Sequence, residues 1–257
     1  LCWFAEMAVL YFIGRKFSVP FFKQIAYTVA ALGFISLWHD WTKYYVEIFS
    51  KDNYIPARIL FNKMFLTSAF AMTALGALWF MMKEKFNTEN KDSAYPAMKI
   101  VAPILFLLTV YFSFFFEIIH HFKNWEDATT IRETSSVYIP SIMNKAIPLF
   151  LAIWLAIYSA VFISGTLFIN SKTAKSKGIH LAFYIMSFVA LFMLMGVGFA
   201  ALPQLRNFYN STSEEYFPYA FKTDWMLNFR YVFFLSTFAV LFLMYFAQKA
   251  YENKVGR

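Results

Sequence analysis

Long runs of hydrophobic residues, separated by short polar segments, cover most of this chain. A helix needs about 20 apolar residues to cross roughly 30 Å of bilayer hydrocarbon. A shorter run over residues 1–14 opens the chain, and at about 1.5 Å per residue it is too short to cross. We therefore expect a cut first helix and a longer parent protein, and the pattern predicts an all-α transmembrane bundle of about seven helices. Six runs meet or approach the spanning length: 21–38, 59–82, 100–119, 146–169, 179–202 and 225–247.

Composition points to the lipid bilayer as the main partner. Hydrophobic residues make up 60% of the chain and charged residues only 15%, whereas soluble domains carry about 25% charged residues. There is too little polar surface to cover a globule of this size in water. The net charge of +8 could suggest nucleic acid, but its distribution favours a membrane explanation, so no nucleic-acid partner is expected.

Basic residues concentrate on one side of the predicted membrane. The loops at 14–23, 83–99 and 170–178, with the tail from Lys249 onwards, hold thirteen Lys and Arg against four Asp and Glu. Short loops rich in Lys and Arg stay in the cytoplasm. The sequence thus predicts residue 1 outside and a cytoplasmic C-terminus. The outer loops, at 40–58, 122–145 and 203–224, are expected to form short surface helices or caps.

Similar short motifs begin the two halves of the chain. Trp-Phe-Ala at 3–5 matches Trp-Leu-Ala at 154–156, and an Asn precedes a basic residue at both Asn62 and Asn228. Either Asn could cap a helix start. Two parallel three-helix repeats around one linking helix would explain the match, although unrelated membrane helices also resemble one another. The predicted divisions are 1–98, 99–144 and 145–257.

Four stretches carry a family resemblance. They are WFAEMAVLYFIGRK at 3–16, FISLWHDWTKYY at 34–45, ILFNKMFLT at 59–67 and IWLAIYSAVFISG at 153–165. They resemble the later portion of a bacterial family of predicted multi-pass membrane proteins, known as domain of unknown function 2339. The resemblance implies a bacterial inner (cytoplasmic) membrane location and repeated helices. It implies no catalytic residues.

Glu6 is the most distinctive candidate residue. It precedes Arg15 by nine positions, about 13 Å along a helix, and so lies near mid-membrane. An ionisable group at that depth suggests proton or cation handling, or pairing with a buried base. A structural, protonated Glu is the alternative. Ile157 occupies the corresponding position of the second copy, so the repeat does not require a carboxylate there.

A second candidate is an outer-face polar cluster. Glu117, His120 and His121 are spaced to share one helical face, and His39 with Asp40 ends the second predicted helix on the same side. One Glu-x-x-His pair is only half of the element that di-metal bundles use. We therefore predict no metal site, with Glu117, His120 and His121 as weak candidates, and an interfacial polar patch is the simpler interpretation.

Glycines and tryptophans are given structural roles. Small residues allow helices to approach closely, and Trp side chains favour the membrane interface. We predict close packing at Gly33, Gly76, Gly196 and Gly198, with a hinge or an ion-coordinating break near Gly196–Gly198 as the alternative. We predict interfacial anchors at Trp38, Trp41, Trp125 and Trp225.

The predicted function is that of an integral inner-membrane protein with a structural or transport-related role. Other membrane subunits, or further helices of the same longer chain, are possible partners. One alternative is a proton- or ion-coupled transporter subunit that uses Glu6. Another is a redox or metal enzyme subunit with an outer-face His site. No cofactor is expected, and an enzymatic role is the less favoured hypothesis.

Overall fold

The computed structural model describes residues 2–50, 60–83, 95–129, 146–173, 177–211 and 225–255. Within them the chain is all helix and turn, which confirms the all-α prediction. The seven helices are α1 (Cys2–Lys16), α2 (Pro20–Ser50), α3 (Lys63–Lys83), α4 (Tyr95–Thr129), α5 (Ala146–Thr173), α6 (Lys177–Ser211) and α7 (Trp225–Val255).

Six of these helices, α2 to α7, are long and apolar enough to cross a membrane. The chain is therefore an integral, multi-pass membrane protein. Helix α1 has only 15 residues, as its short apolar run predicts. The apolar spans are Pro20–Tyr45, Lys63–Met82, Met98–Ala128, Ala146–Lys172, His180–Asn210 and Leu227–Asn253.

Three helices extend further on the predicted outer side than hydropathy indicated. Helix α2 ends at Ser50 rather than near residue 38, α4 at Thr129 rather than 119, and α6 at Ser211 rather than 202. Hydropathy marks where lipid ends, but a helix can continue into the interface because its backbone hydrogen bonds are internal. The outer loops thus begin as continuous helix, and their remaining parts, 51–59, 130–145 and 212–224, lie outside the described residues.

The first compact unit comprises residues 1–121. A short turn after Lys16 reverses the chain, so α1 packs antiparallel on α2, and α1 also contacts α3. At the turn, a Cβ on Gly14 would lie 2.9 Å from the backbone nitrogen of Lys23. Glycine is needed there because the two backbones approach so closely. Ser18 in the turn has a positive φ of 57°.

The second unit comprises residues 122–257 and contains α5, α6 and α7, each in contact with the other two. The ring of Phe233 on α7 fills the space where a Cβ on Gly198 would stand. Gly198 therefore permits close packing, as predicted. For Gly196 that prediction is wrong, because no described atom lies within 4 Å of its Cβ position and the residue is exposed.

The first unit likewise holds three mutually contacting helices, α1 to α3, and the boundary between the units falls within α4. The sequence repeat stays a prediction. One of its details is wrong: Asn228 does not cap a helix, since α7 begins at Trp225 and Asn228 lies inside it.

Candidate functional site

Aromatic rings join α2 to α4 in the first unit, near the predicted outer side. Trp38 and Phe112 meet edge to face with ring centroids 4.9 Å apart. Tyr45 stacks on Phe116 at 4.7 Å, and Trp41 contacts the same ring at 5.7 Å. These contacts fix the face that α4 turns towards α2, and Glu117 lies next to Phe116 on that helix.

The carboxylate of Glu117 is the centre of the candidate site. The residue is only 3% exposed, and its two oxygens accept three hydrogen bonds. Oε1 accepts from the side-chain amide of Asn62 at 2.6 Å and from the Tyr45 hydroxyl at 3.3 Å. Oε2 accepts from the backbone N–H of Leu60 at 2.9 Å. One buried carboxylate thus binds α2, α4 and the segment that leads into α3.

The side chain of Asn62 makes two hydrogen bonds, one as an acceptor and one as a donor. Its side-chain oxygen accepts a hydrogen bond from the backbone N–H of Phe65 at 2.8 Å, which is the bond an N-cap makes. The predicted cap at Asn62 is therefore confirmed. Its amide nitrogen is left to donate to Glu117. Leu60 has a positive φ of 61°, so the chain turns sharply where its N–H reaches the carboxylate.

His120 lies one turn beyond Glu117 and is fully buried. Its ring meets the Tyr45 ring edge to face at 6.4 Å. Glu117 and His120 therefore share the inward face of α4, as their spacing indicates. His121, the next residue, is exposed.

The structure places His39 and Asp40 in a different environment from Glu117 and His120. Both are exposed, with side-chain exposures of 73% and 52%, and the Nδ1 of His39 lies 3.8 Å from the Oδ1 of Asp40. The five residues of the predicted outer-face cluster are thus divided into a buried pair and three exposed side chains. Within the described parts of the chain, no three His, Cys, Asp or Glu side chains are grouped so that they could hold a metal ion.

The predicted interfacial role of Trp41 is wrong. Trp41 is 1% exposed and its indole N–H donates to the hydroxyl of Ser68 at 2.8 Å, while Ser68 donates to the Met64 carbonyl. A buried Trp usually finds a partner for its N–H. Sequence reasoning missed this bond because the two residues lie 27 positions apart on different helices, and no local spacing pairs them. Trp38, by contrast, is 40% exposed.

Glu6 lies on the exposed side of α1, whereas Glu117 is buried together with Tyr45 and Asn62. We call these three residues, with the backbone N–H of Leu60, the Glu117 cluster. Ile157, its counterpart in the predicted repeat, is buried. The two positions therefore have different surroundings: Glu6 is exposed at the protein surface, whereas Ile157 is packed inside the second unit. Glu6 and the Glu117 cluster are two separate candidate sites.

A further polar contact, near the predicted inner side, was not foreseen. His180 is 6% exposed and its Nε2 lies 3.2 Å from the side-chain oxygen of Gln248. Its ring stacks on Tyr251 at 3.9 Å, nearly parallel. These contacts join α6 to α7, and no sequence spacing could have paired residues so far apart.

Comparisons with protein-family models, curated proteins and solved structures find no match to this chain. The geometry of the two sites is therefore the basis for a functional proposal.

Proposed function

We propose that this chain is a helical protein of the bacterial cytoplasmic membrane, and that its role there is structural or transport-related. The observation that carries the proposal is the use made of Glu117. Among the described residues it is the one buried carboxylate, and its hydrogen bonds hold three parts of the first unit together. A group engaged in this way stabilises the fold, and its remaining acceptor capacity is small.

Other buried hydroxyls of the first unit are also used within the fold. Ser68, Thr109 and Ser113 each donate to a backbone carbonyl four residues earlier on their own helix. Such internal bonds are what a polar group needs when water is absent. Each of these three hydroxyls is thus engaged by the backbone of its own helix, which favours a structural role for the first unit.

Substitution of Asn62 by Asp tests this role. Asp is as good an N-cap as Asn, but it cannot donate to Glu117, and it places a second carboxyl against Oε1. We expect Asn62→Asp to lower the thermal unfolding midpoint at neutral pH in detergent micelles, although the cap is preserved. Lys63→Ala, at the exposed adjacent position, is the control and should leave the midpoint unchanged. A midpoint for Asn62→Asp equal to that of the native protein would contradict the structural role.

The orientation can be tested with single cysteines in a Cys2→Ser background, because Cys2 is the chain's one cysteine and lies only four residues from Glu6. Ala128 is exposed near the end of α4, on the side that the basic loops predict to be outside. A membrane-impermeant maleimide should therefore label Ala128→Cys in intact spheroplasts. Asn253→Cys should be labelled only after the membrane is permeabilised. The reverse pattern would contradict the proposed topology.

A specific observation favours a second candidate function, ion-coupled transport through Glu6. Glu6 is an exposed carboxylate at a depth where charge is costly unless it has a function or a partner. We expect Glu6→Gln to reduce proton flux in proteoliposomes to the level of protein-free liposomes while the unfolding midpoint stays the same. Equal flux through the native protein and Glu6→Gln would eliminate this candidate.

The resemblance to domain of unknown function 2339 supports the bacterial membrane location and remains a proposal. An enzyme with an outer-face His site is less favoured. Such a site needs its histidines together, but His120 is buried whereas His39 and His121 are exposed.

A further inference from the structure

One face of α1 carries a carboxylate among small and apolar side chains. Ala5, Glu6, Val9 and Phe12 recur at intervals of one helical turn or less and are all exposed. The opposite face holds Phe4, Met7 and Tyr11, which are buried in the first unit. We call the exposed residues Ala5, Glu6, Val9 and Phe12 the Glu6 face.

The packing of α1 on α2 gives the depth of this face. A Cβ on Gly14 would meet Lys23, and a Cβ on Gly33 would meet Phe4 at 3.4 Å. Both contacts belong to one antiparallel register, which places Glu6 level with Ala31. Ala31 lies near the middle of the apolar span Pro20–Tyr45, roughly 16 Å from its start at about 1.5 Å per residue. Glu6 therefore lies close to the middle of the bilayer.

A carboxylate that faces hydrocarbon at this depth is unfavourable. Ionisable residues within membrane spans are normally paired with an opposite charge or directed into a protein interior. The chemistry that would complement Glu6 is a Lys or Arg side chain, which supplies both charge and hydrogen-bond donors.

A second copy of this chain is a poor source of that base. Every Lys and Arg of the described helices lies within eight residues of a helix end. Lys43, Lys123 and Lys249 come furthest in, and each is still nearer the end of its helix than the middle. A symmetrical pairing of two Glu6 faces would instead bring two carboxyl groups together.

We propose that the Glu6 face binds a transmembrane helix of a different polypeptide, and that this helix carries a Lys or Arg at the depth of Glu6. The partner helix covers Val9 and Phe12 with apolar side chains, and the small Ala5 allows it to approach closely. This interface does not depend on the Glu117 cluster or on transport.

Photo-crosslinking in native membranes tests the proposal. A photoreactive amino acid at Val9, in the full-length protein of the cells that produce it, should crosslink to a transmembrane peptide that contains Lys or Arg. Glu6→Ala should reduce the yield by about threefold or more, the loss expected for one hydrogen-bonded pair within a membrane. Glu6→Lys together with Glu at the partner's basic position should restore the yield. The same probe at Val189, which is 57% exposed on α6, is the control and should not respond to Glu6→Ala.

Four outcomes would overturn the proposal. These are crosslinks from Val9 only to lipid, crosslinks only to a second copy, a partner helix without a basic residue, and a yield that Glu6→Ala leaves unchanged. Because Glu6 is exposed, Glu6→Ala should keep the unfolding midpoint of the purified protein. If that variant is not inserted, Glu6→Gln preserves the side-chain shape, and an unchanged yield in Glu6→Gln overturns the proposal equally.

Discussion

Replacement of Gly198 by alanine is expected to lower the free energy of unfolding by about 2 kcal/mol, within the range measured for overpacked cores. The ring of Phe233 occupies the space that the new methyl group would need. Phe233 is itself only 2% exposed and packs edge to face on Phe234. Because the ring is buried, it has little room to turn aside, so either the ring or the helices α6 and α7 must shift. Unfolding in mixed micelles, followed by circular dichroism, measures the loss.

Gly196→Ala is the matched control, two residues earlier on the same helix. No described atom lies within 4 Å of its Cβ position, so the methyl group has space. Alanine also favours a helix over glycine by up to about 1 kcal/mol. Gly196→Ala should therefore be neutral or slightly stabilising. Equal losses in both variants would show that Gly198 is not a packing site between α6 and α7.

The second large effect is expected for Glu117→Ala, which should destabilise the first unit by about 3 kcal/mol. The substitution removes the acceptor of three donors: the Asn62 amide, the Tyr45 hydroxyl and the Leu60 N–H. Each donor then lies in a site that excludes much of the solvent, and unsatisfied buried donors are costly. Glu117→Gln keeps one acceptor oxygen and should lose less.

Glu126→Ala is the control for Glu117→Ala on the same helix. Glu126 pairs with Lys123 at 2.8 Å, three residues earlier, and both side chains are partly exposed. Partly exposed pairs contribute up to about 1 kcal/mol. A loss for Glu117→Ala no larger than that for Glu126→Ala would contradict the anchoring role of the carboxylate.

The number and place of the helices could be predicted because the bilayer imposes a fixed apolar length on each span. The ends of α2, α4 and α6 could not, since the interface allows a helix to continue once the apolar run is over. The helical spacing of Glu117 and His120 was enough to place them on one face. Their burial was not foreseen, because it depends on rings that α2 contributes from over seventy residues earlier.

The partners of Glu117 also show that local roles can be predicted from the sequence, whereas contacts between distant residues cannot. Asn62 was predicted as a cap from its place before an apolar run, and that local role is confirmed. Its amide bond to Glu117 joins residues 55 positions apart, and only tertiary packing brings them together. Glu6 is the opposite case. Its mid-membrane depth follows from counting residues to Arg15, and the register of α1 on α2 agrees with that estimate.

The coupling between Glu117 and Asn62 tests the account most directly. A double-mutant cycle with Glu117→Ala, Asn62→Ala and the combined variant, unfolded in lipid bicelles, isolates the interaction between the two side chains. We predict a coupling free energy of about 1 kcal/mol, in the upper part of the range for side-chain bonds within membranes. Losses that add to within roughly 0.3 kcal/mol would show that the two residues act independently, and the proposal that Glu117 anchors the first unit would then be wrong.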